Sequence, residues 1–290
     1  MSTISKFALT VLISLASSAA SAVTIGIQDA WQLDTTAAGI NSVTTNIGHL
    51  NLSGGVGYIN QSFGADYILN AGDPFTEFGA IYTVTVTPEN CTGACDTGFP
   101  TSYNGSLLGL QLVYTGLSGI LTSISGSGDV TYAFTSGAGS IAIQGTTDGT
   151  TYTDLATLTP VNPSGGSLGA FLGGLLPNGT TDMLANVDLT GYISSLFRDS
   201  GGVSYDSLGL VSDLPTAGPL FAAIHTQNTL GQPVSCTVDG SGNTTSCDLV
   251  VNSDGSLNLT VPEPNTVALI GLGLLALVGF SRRRSGMYSV

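Results

Sequence analysis

The sequence predicts a mainly β protein: an antiparallel β-sandwich or barrel-like body with one short amphipathic helix, plus a C-terminal transmembrane helix. Three observations carry this. Apolar residues recur at every second position in several short runs, the period of a strand with one buried face. Glycine makes up 40 of 290 residues, beside abundant Thr, Ser and Asn, a composition suited to many turns. One uncharged apolar run, residues 266–280, lies near the C-terminus and ends on Ser281-Arg282-Arg283-Arg284.

The strands follow in order. Within 81–87, Tyr82, Val84 and Val86 alternate with threonines, and Val130, Tyr132 and Phe134 alternate with Thr131, Ala133 and Thr135. Ile141 and Ile143 lead through Asp148-Gly149 to residues 152–158, a hairpin pattern. Residues 107–114 and 117–124 predict two more strands, and 247–251 and 257–261 predict a hairpin turning at Asp254-Gly255. The helix is expected from Asp188 to Asp199, where Leu189, Tyr192, Ile193, Leu196 and Phe197 recur at helical spacing. Asp188 would cap it and Gly201 would end it. The Gly-rich stretch 163–177 before it predicts a loop or a short apolar helix.

The two ends predict export. Residues 1–22 carry Lys6, an apolar stretch over 7–15 and then small residues. Ala20 and Ala22 fit a small-x-small cleavage site, with Val23 as the mature start. The apolar run 266–280 would span roughly 22 Å as a helix, short for a bilayer core of about 30 Å but within reach of thinning and snorkelling. Arg282, Arg283 and Arg284 place its far end in the cytoplasm by the positive-inside rule, with 285–290 as a short cytoplasmic tail. The body, 23–260, then lies across the membrane.

Val261-Pro262-Glu263-Pro264, the apolar run and the arginine cluster together resemble the PEP-CTERM sorting signal of Gram-negative bacteria, over residues 261–284. The resemblance implies a partner, the membrane transpeptidase exosortase, which cuts near the Pro-Glu-Pro and passes the body to the cell surface or extracellular matrix. The catalytic residues of that step belong to exosortase. Residues 285–290 continue past the arginines, where similar tails commonly stop. A second resemblance, over about 66–158, rests on Asp73-Pro74-Phe75-Thr76-Glu77-Phe78-Gly79, on residues 108–114, on Tyr132-Ala133-Phe134-Thr135 and on residues 139–143. These pieces look like flocculation-associated PEP-CTERM proteins and imply a part in cell aggregation or matrix formation.

Composition bounds the activity. Between Val23 and Pro264 the chain holds 19 acidic residues and one basic residue, Arg198, so its formal charge is −18 against −14 for the whole chain. Such a surface repels nucleic acid and anionic lipid. Arg198 is expected to pair with an acidic neighbour such as Asp199 or Asp206, or to solvate its helix end, ahead of a ligand-binding role. Cys91, Cys95, Cys236 and Cys247 all lie in the exported body, where an oxidising compartment favours disulfides. Three pairings are open. One of them sets Cys236 against Cys247 across a hairpin tip at 239–243 and leaves Cys91 and Cys95 to close a tight loop. The spacing suits no zinc site, and with two histidines, His49 and His225, no metal or other cofactor is expected.

Catalytic patterns are sparse. Gly165-Gly166-Ser167-Leu168-Gly169 matches a nucleophile elbow, with His225 and Asp199 or Asp213 as partners in the right chain order. The surroundings predict β or loop rather than the strand–turn–helix an elbow needs, so a secreted hydrolase is the remote alternative. Trp31, Tyr58, Tyr67, Tyr82 and Tyr103 are candidates for a sugar platform, with core packing expected for most. The expectation is a non-enzymatic protein exported by Sec and anchored transiently in the inner membrane. At the cell surface or in the matrix it would support biofilm, floc or exopolysaccharide-associated adhesion. The alternative is a carbohydrate-binding module for self-produced polysaccharide.

Overall fold

The computed structural model describes residues 24–26, 30–89, 109–169, 178–189, 195–205 and 220–262. The chain divides into a body, Gly26–Val261, and a second unit made of both chain ends. The expected signal peptide with Ala20 and Ala22, the sorting residues Glu263, Pro264, Arg282, Arg283 and Arg284, and the 266–280 span lie outside the described residues. Among the described residues no helix is long and apolar enough to cross a membrane.

Twelve strands account for most of the described chain: β1 (Thr24–Gly26), β2 (Trp31–Asp34), β3 (Val43–Ser62), β4 (Pro74–Pro88), β5 (Gly109–Ile124), β6 (Val130–Phe134), β7 (Ser140–Thr146), β8 (Tyr152–Leu168), β9 (Asn178–Asp188), β10 (Phe197–Asp199), β11 (Phe221–Val238) and β12 (Thr244–Pro262). A single 3-10 turn, Thr36–Ala38, follows β2. Every pairing among β2 to β12 is antiparallel. The body's path runs β12-β11-β9-β8-β6-β5-β4-β3-β2-β10, with β7 bridging β5 and β8. β12 also pairs with β3, from Ser246 opposite Ser62 to Leu257 opposite Leu50. The hydrogen-bonded path therefore returns on itself at β3 and β12, while β2 and β10 extend from β3 and leave β10 as an edge strand.

One core fills the inside of this path. Leu50 and Leu52 of β3, Leu110 and Leu112 of β5, Ile141 and Ile143 of β7, and Leu257 and Leu259 of β12 are all buried at alternate positions, as the period-two pattern predicts. Phe75, Tyr132 and Phe134 meet edge to face with centroids 5.5–5.7 Å apart.

The structure corrects the sequence at points where a strand bends instead of ending. Residues 109–124 form one strand. Its first half pairs with β7 and its second half with β6, and Gly116 takes up the change at φ +63°. β8 likewise runs on to Leu168, through a register shift between Val161 and Gly165 beside Pro163, so the stretch expected to be loop or helix is strand as far as Leu168. In β4 the alternation changes phase: Ala80 and Ile81 are both buried, Tyr82 and Thr83 both exposed, and Val84 and Val86 buried again. Tyr82 thus does not share the buried face of Val84 and Val86.

No turn occurs at Asp254-Gly255. β12 passes straight through with a bulge between Ser253 and Gly255. Asp254 Oδ1 accepts a bond from the Gly54 amide at 2.9 Å. A Cβ at Gly255 would strike the carbonyl of His225 and lie 2.7 Å from the Thr226 Cα, so close strand approach, not a turn, requires the glycine. The helix expected from Asp188 to Asp199 is also revised. Asp188 ends β9 and Phe197–Asp199 is strand β10 against β2, while 190–194 lie outside the described residues. The hairpin tip at 239–243 is as expected. Asp239 Oδ1 accepts amide bonds from Ser241 at 2.8 Å and Asn243 at 2.9 Å. Behind it Cys236 and Cys247 face each other in register and form a disulfide. Cys91 and Cys95 lie outside the described residues.

Candidate functional site

Of the residues singled out for a hydrolase, Ser167 and His225 stand on one exposed sheet surface without forming a triad. Ser167 lies in β8 opposite Thr180, and Gly165 lies opposite Asp182, which pairs with His225 of β11. Ser167 and His225 are thus two strands and two residues apart, roughly 10 Å across and 7 Å along. His225 Nδ1 instead meets Asp182 Oδ1 at 2.6 Å, both well exposed. Asp199 lies away on β10 beside β2, and Asp213 lies outside the described residues. Trp31 is core, 1% exposed. Tyr58, Tyr67 and Tyr82 are exposed, against the expectation that most of the aromatics pack inside. Tyr58 of β3 stacks on Phe78 of β4 at 5.3 Å. Tyr103 lies outside the described residues.

Arg198 pairs not with Asp199 but with the buried Asp34 of β2, Nη2 to Oδ2 at 2.5 Å, and donates from Nη1 to the Gly202 carbonyl at 2.9 Å. Asp34 Oδ1 accepts from the Thr36 amide at 2.9 Å and hydroxyl at 2.5 Å. Burial works against the charge on Asp34. The Thr36 hydrogen bonds and the guanidinium outweigh it and hold the carboxyl below its ordinary range. The neighbours are Trp31 and Phe197, edge to face at 5.7 Å. This cluster fastens β10 to β2, so the body's one basic side chain is engaged inside the fold.

A second polar cluster faces the core, and nothing in the sequence points to it except a charged residue at an alternating position. Glu77 occupies an inward position of β4 between Phe75 and Gly79. Its register partners are Ile59 of β3 and Leu117 of β5, both apolar. Tyr114 of β5 sits opposite Gly79, which sits opposite Gly57. The two glycines leave a notch. A Cβ at Gly57 would collide with the Tyr114 hydroxyl and stand 3.3 Å from Glu77 Oε1; one at Gly79 would stand 2.7 Å from the same hydroxyl. The hydroxyl of Tyr114 is buried and has no hydrogen-bond partner. Across the interior, the Tyr132 hydroxyl shares a 2.5 Å bond with Thr181 Oγ1, to which Asn228 Nδ2 also donates at 2.6 Å. Thr226 Oγ1 donates to Asn228 Oδ1 at 3.0 Å.

Glu77 as a whole residue is partly exposed, but its carboxyl faces this interior, and burial pushes it up from 4.5 to about 7. Burial also raises both phenols, Tyr132 to about 12, and the Glu77 charge adds to each. A carboxyl raised in the folded chain binds its proton where the unfolded chain has lost it. Its favourable contribution is therefore complete below about 4.5 and is lost as pH rises through about 7. Glu77→Gln is expected to melt like the native chain at pH 4 and to be more stable at pH 8 by on the order of 2–3 kcal/mol. Melting curves at the two pH values check this, and an equal shift at both would contradict it.

The comparisons with known proteins speak to the other end of the chain. The family model of the PEP-CTERM protein-sorting motif matches residues 260–284. No curated protein and no solved structure matches. The motif begins at Thr260, still within β12 and opposite Phe221 of β11. Sorting residues Val261 and Pro262 are the last two of that strand.

Proposed function

We propose that this chain, as the carrier of a PEP-CTERM sorting motif, is a substrate of exosortase and reaches the cell surface by that route. The match over residues 260–284 carries the reading. In the proposed sequence of events the chain leaves by the Sec route with residues 1–22 as its signal peptide. It is held briefly in the inner membrane by residues 266–280, then cut near Pro264. The cut would remove Arg282, Arg283 and Arg284 and, with Lys6 lost in the signal peptide, leave a body of −18 where the whole chain carries −14. The released body acts without catalysis, in adhesion, floc or biofilm matrix. Its mainly β build suits a surface protein that must stay folded outside the cell.

The test replaces Pro262, Glu263 and Pro264 with alanine and follows the C-terminus by mass spectrometry in cells that contain exosortase. We expect the uncut chain to accumulate in the membrane fraction. Unchanged cleavage and surface display would reject the proposal.

One observation favours a second reading, a carbohydrate-binding module for self-produced polysaccharide. Tyr58 and Phe78 stack with each other at the surface, and Tyr82 is exposed on the same β4; aromatic faces of this kind can take a sugar ring. Glycan arrays with Tyr58→Ala as control separate the two readings: binding lost in the variant supports the module, and blank arrays with aggregation retained support the adhesive.

A further inference from the structure

A partly open cavity of about 50 Å3 borders the core, room for a few waters or one very small molecule. Most of its wall is apolar, with Leu112, Leu117, Phe134, Ile141, Met183 and Ile224 around it. Besides Ser253, its polar groups divide into two sets. Thr181, Thr226 and Asn228 satisfy one another and Tyr132. Glu77 and Tyr114 do not. The Tyr114 hydroxyl is orphaned although the residue is 6% exposed. Among the described residues no hydrogen bond reaches the Glu77 carboxyl, which lies between two apolar register partners. Both oxygens converge over the bare backbone of Gly57. A buried polar atom left without a partner is costly, so the orphaned Tyr114 hydroxyl beside an unbonded carboxyl is complementary to something that meets both.

The chemistry of that occupant follows from what the wall lacks. It holds one acidic group and no basic one. The body cannot supply a Lys or Arg, because Arg198 is its one basic residue and is bound to Asp34. The counter-charge must come from outside, carry N–H donors for both oxygens, and fit a small, largely apolar space beside the rings of Tyr114 and Phe134, whose faces favour a cation. We propose that the cavity is a binding site for a small organic ammonium ion, ammonium or a short primary alkylammonium. Its nitrogen sits between Glu77 and the Tyr114 hydroxyl and its stem lies against Leu112, Leu117 and Phe134. This site is independent of the sorting motif.

Binding requires the carboxylate. The other titratable groups about Glu77 are Tyr114 and Tyr132, held neutral at pH 8 by burial, with Tyr82 and Asp182 acting on those tyrosines in turn. Occupancy therefore strengthens as pH rises through about 7.

The experiment titrates the full chain, in detergent micelles at pH 8, with ethylammonium chloride against equal concentrations of sodium chloride and tetramethylammonium chloride, reading the melting temperature. Tetramethylammonium has the charge without the N–H donors. We expect a saturable rise with ethylammonium beyond that of either control, absent at pH 4, absent in Glu77→Gln, and displaced about tenfold to higher concentration in Tyr114→Phe. A rise matched by sodium, or undiminished in Glu77→Gln, is general screening of an acidic chain and overturns the proposal. If Glu77→Gln does not fold, nuclear Overhauser contacts from the ethylammonium methyl to core Leu and Ile methyls of the native chain decide the matter: contacts support the site and their absence at saturating ligand rejects it.

Discussion

Replacing Arg198 with methionine is expected to destabilise the body by about 3–5 kcal/mol, among the largest effects of any single side-chain change. The loss is less that of the ion pair's own attraction than of Asp34's compensation. Asp34 is 4% exposed, and without the guanidinium its charge keeps only the two Thr36 bonds. The variant has a characteristic pH dependence. Native Asp34 has its carboxyl lowered by its partners, so it contributes stability above the ordinary carboxylate range and loses it as pH falls below that range. In Arg198→Met that acid-side loss should move to higher pH. Urea unfolding at pH 7 and pH 3 checks both parts. The double change Asp34→Asn with Arg198→Met should recover much of the loss, because it removes the stranded charge. A double variant no better than the single one would mean that the Arg198 stem packing, not the charge, holds β10 to β2.

Gly79→Val is expected to cost at least about 3 kcal/mol. The new Cβ would strike the carbonyl of Val56, stand 2.7 Å from the Gly57 Cα and 2.7 Å from the Tyr114 hydroxyl. The first two are backbone of the paired strand β3 and cannot rotate away. Adding Tyr114→Phe should therefore not rescue the variant. Gly126→Ala is the control, since nothing lies within 4 Å of a Cβ there, and it should change stability by no more than about 0.5 kcal/mol. The comparison is read by circular dichroism melting of the three chains. A Gly79→Val chain as stable as Gly126→Ala would show that β3 and β4 do not approach this closely.

Much of the β architecture was legible because a strand with one buried face writes its period into a few residues. Val130 to Phe134 and the hairpin at Asp148-Gly149 are of this kind. Asp148 even closes its turn through its own side chain, accepting amide bonds from Thr150 at 2.7 Å and Thr151 at 2.6 Å. Where a strand bends, the same rule misleads. Gly116 and Asp254-Gly255 look like stops, yet each lies within a longer strand that changes partner or bulges. The helical spacing from Leu189 to Phe197 marked burial correctly at Leu189, Leu196 and Phe197, but Phe197 takes its place as strand because β2 offers it an edge. The interior cluster was illegible for a different reason. Glu77, Gly57 and Tyr114 meet only through pairings of β3, β4 and β5, and scattered acids give no hint of which one faces inward. The disulfide from Cys236 to Cys247 was visible because both cysteines flank one tip.

The pairing of β12 with β3 has a consequence for the order of events in the chain's life. Leu50 finds Leu257, and Ser62 finds Ser246, so the seam joins a segment made early to the last of the described strands. Such distant contacts form slowly. During synthesis β3 has that flank unpaired over residues 50–62 until β12 has been made, so this pairing forms only once nearly all of the described body exists.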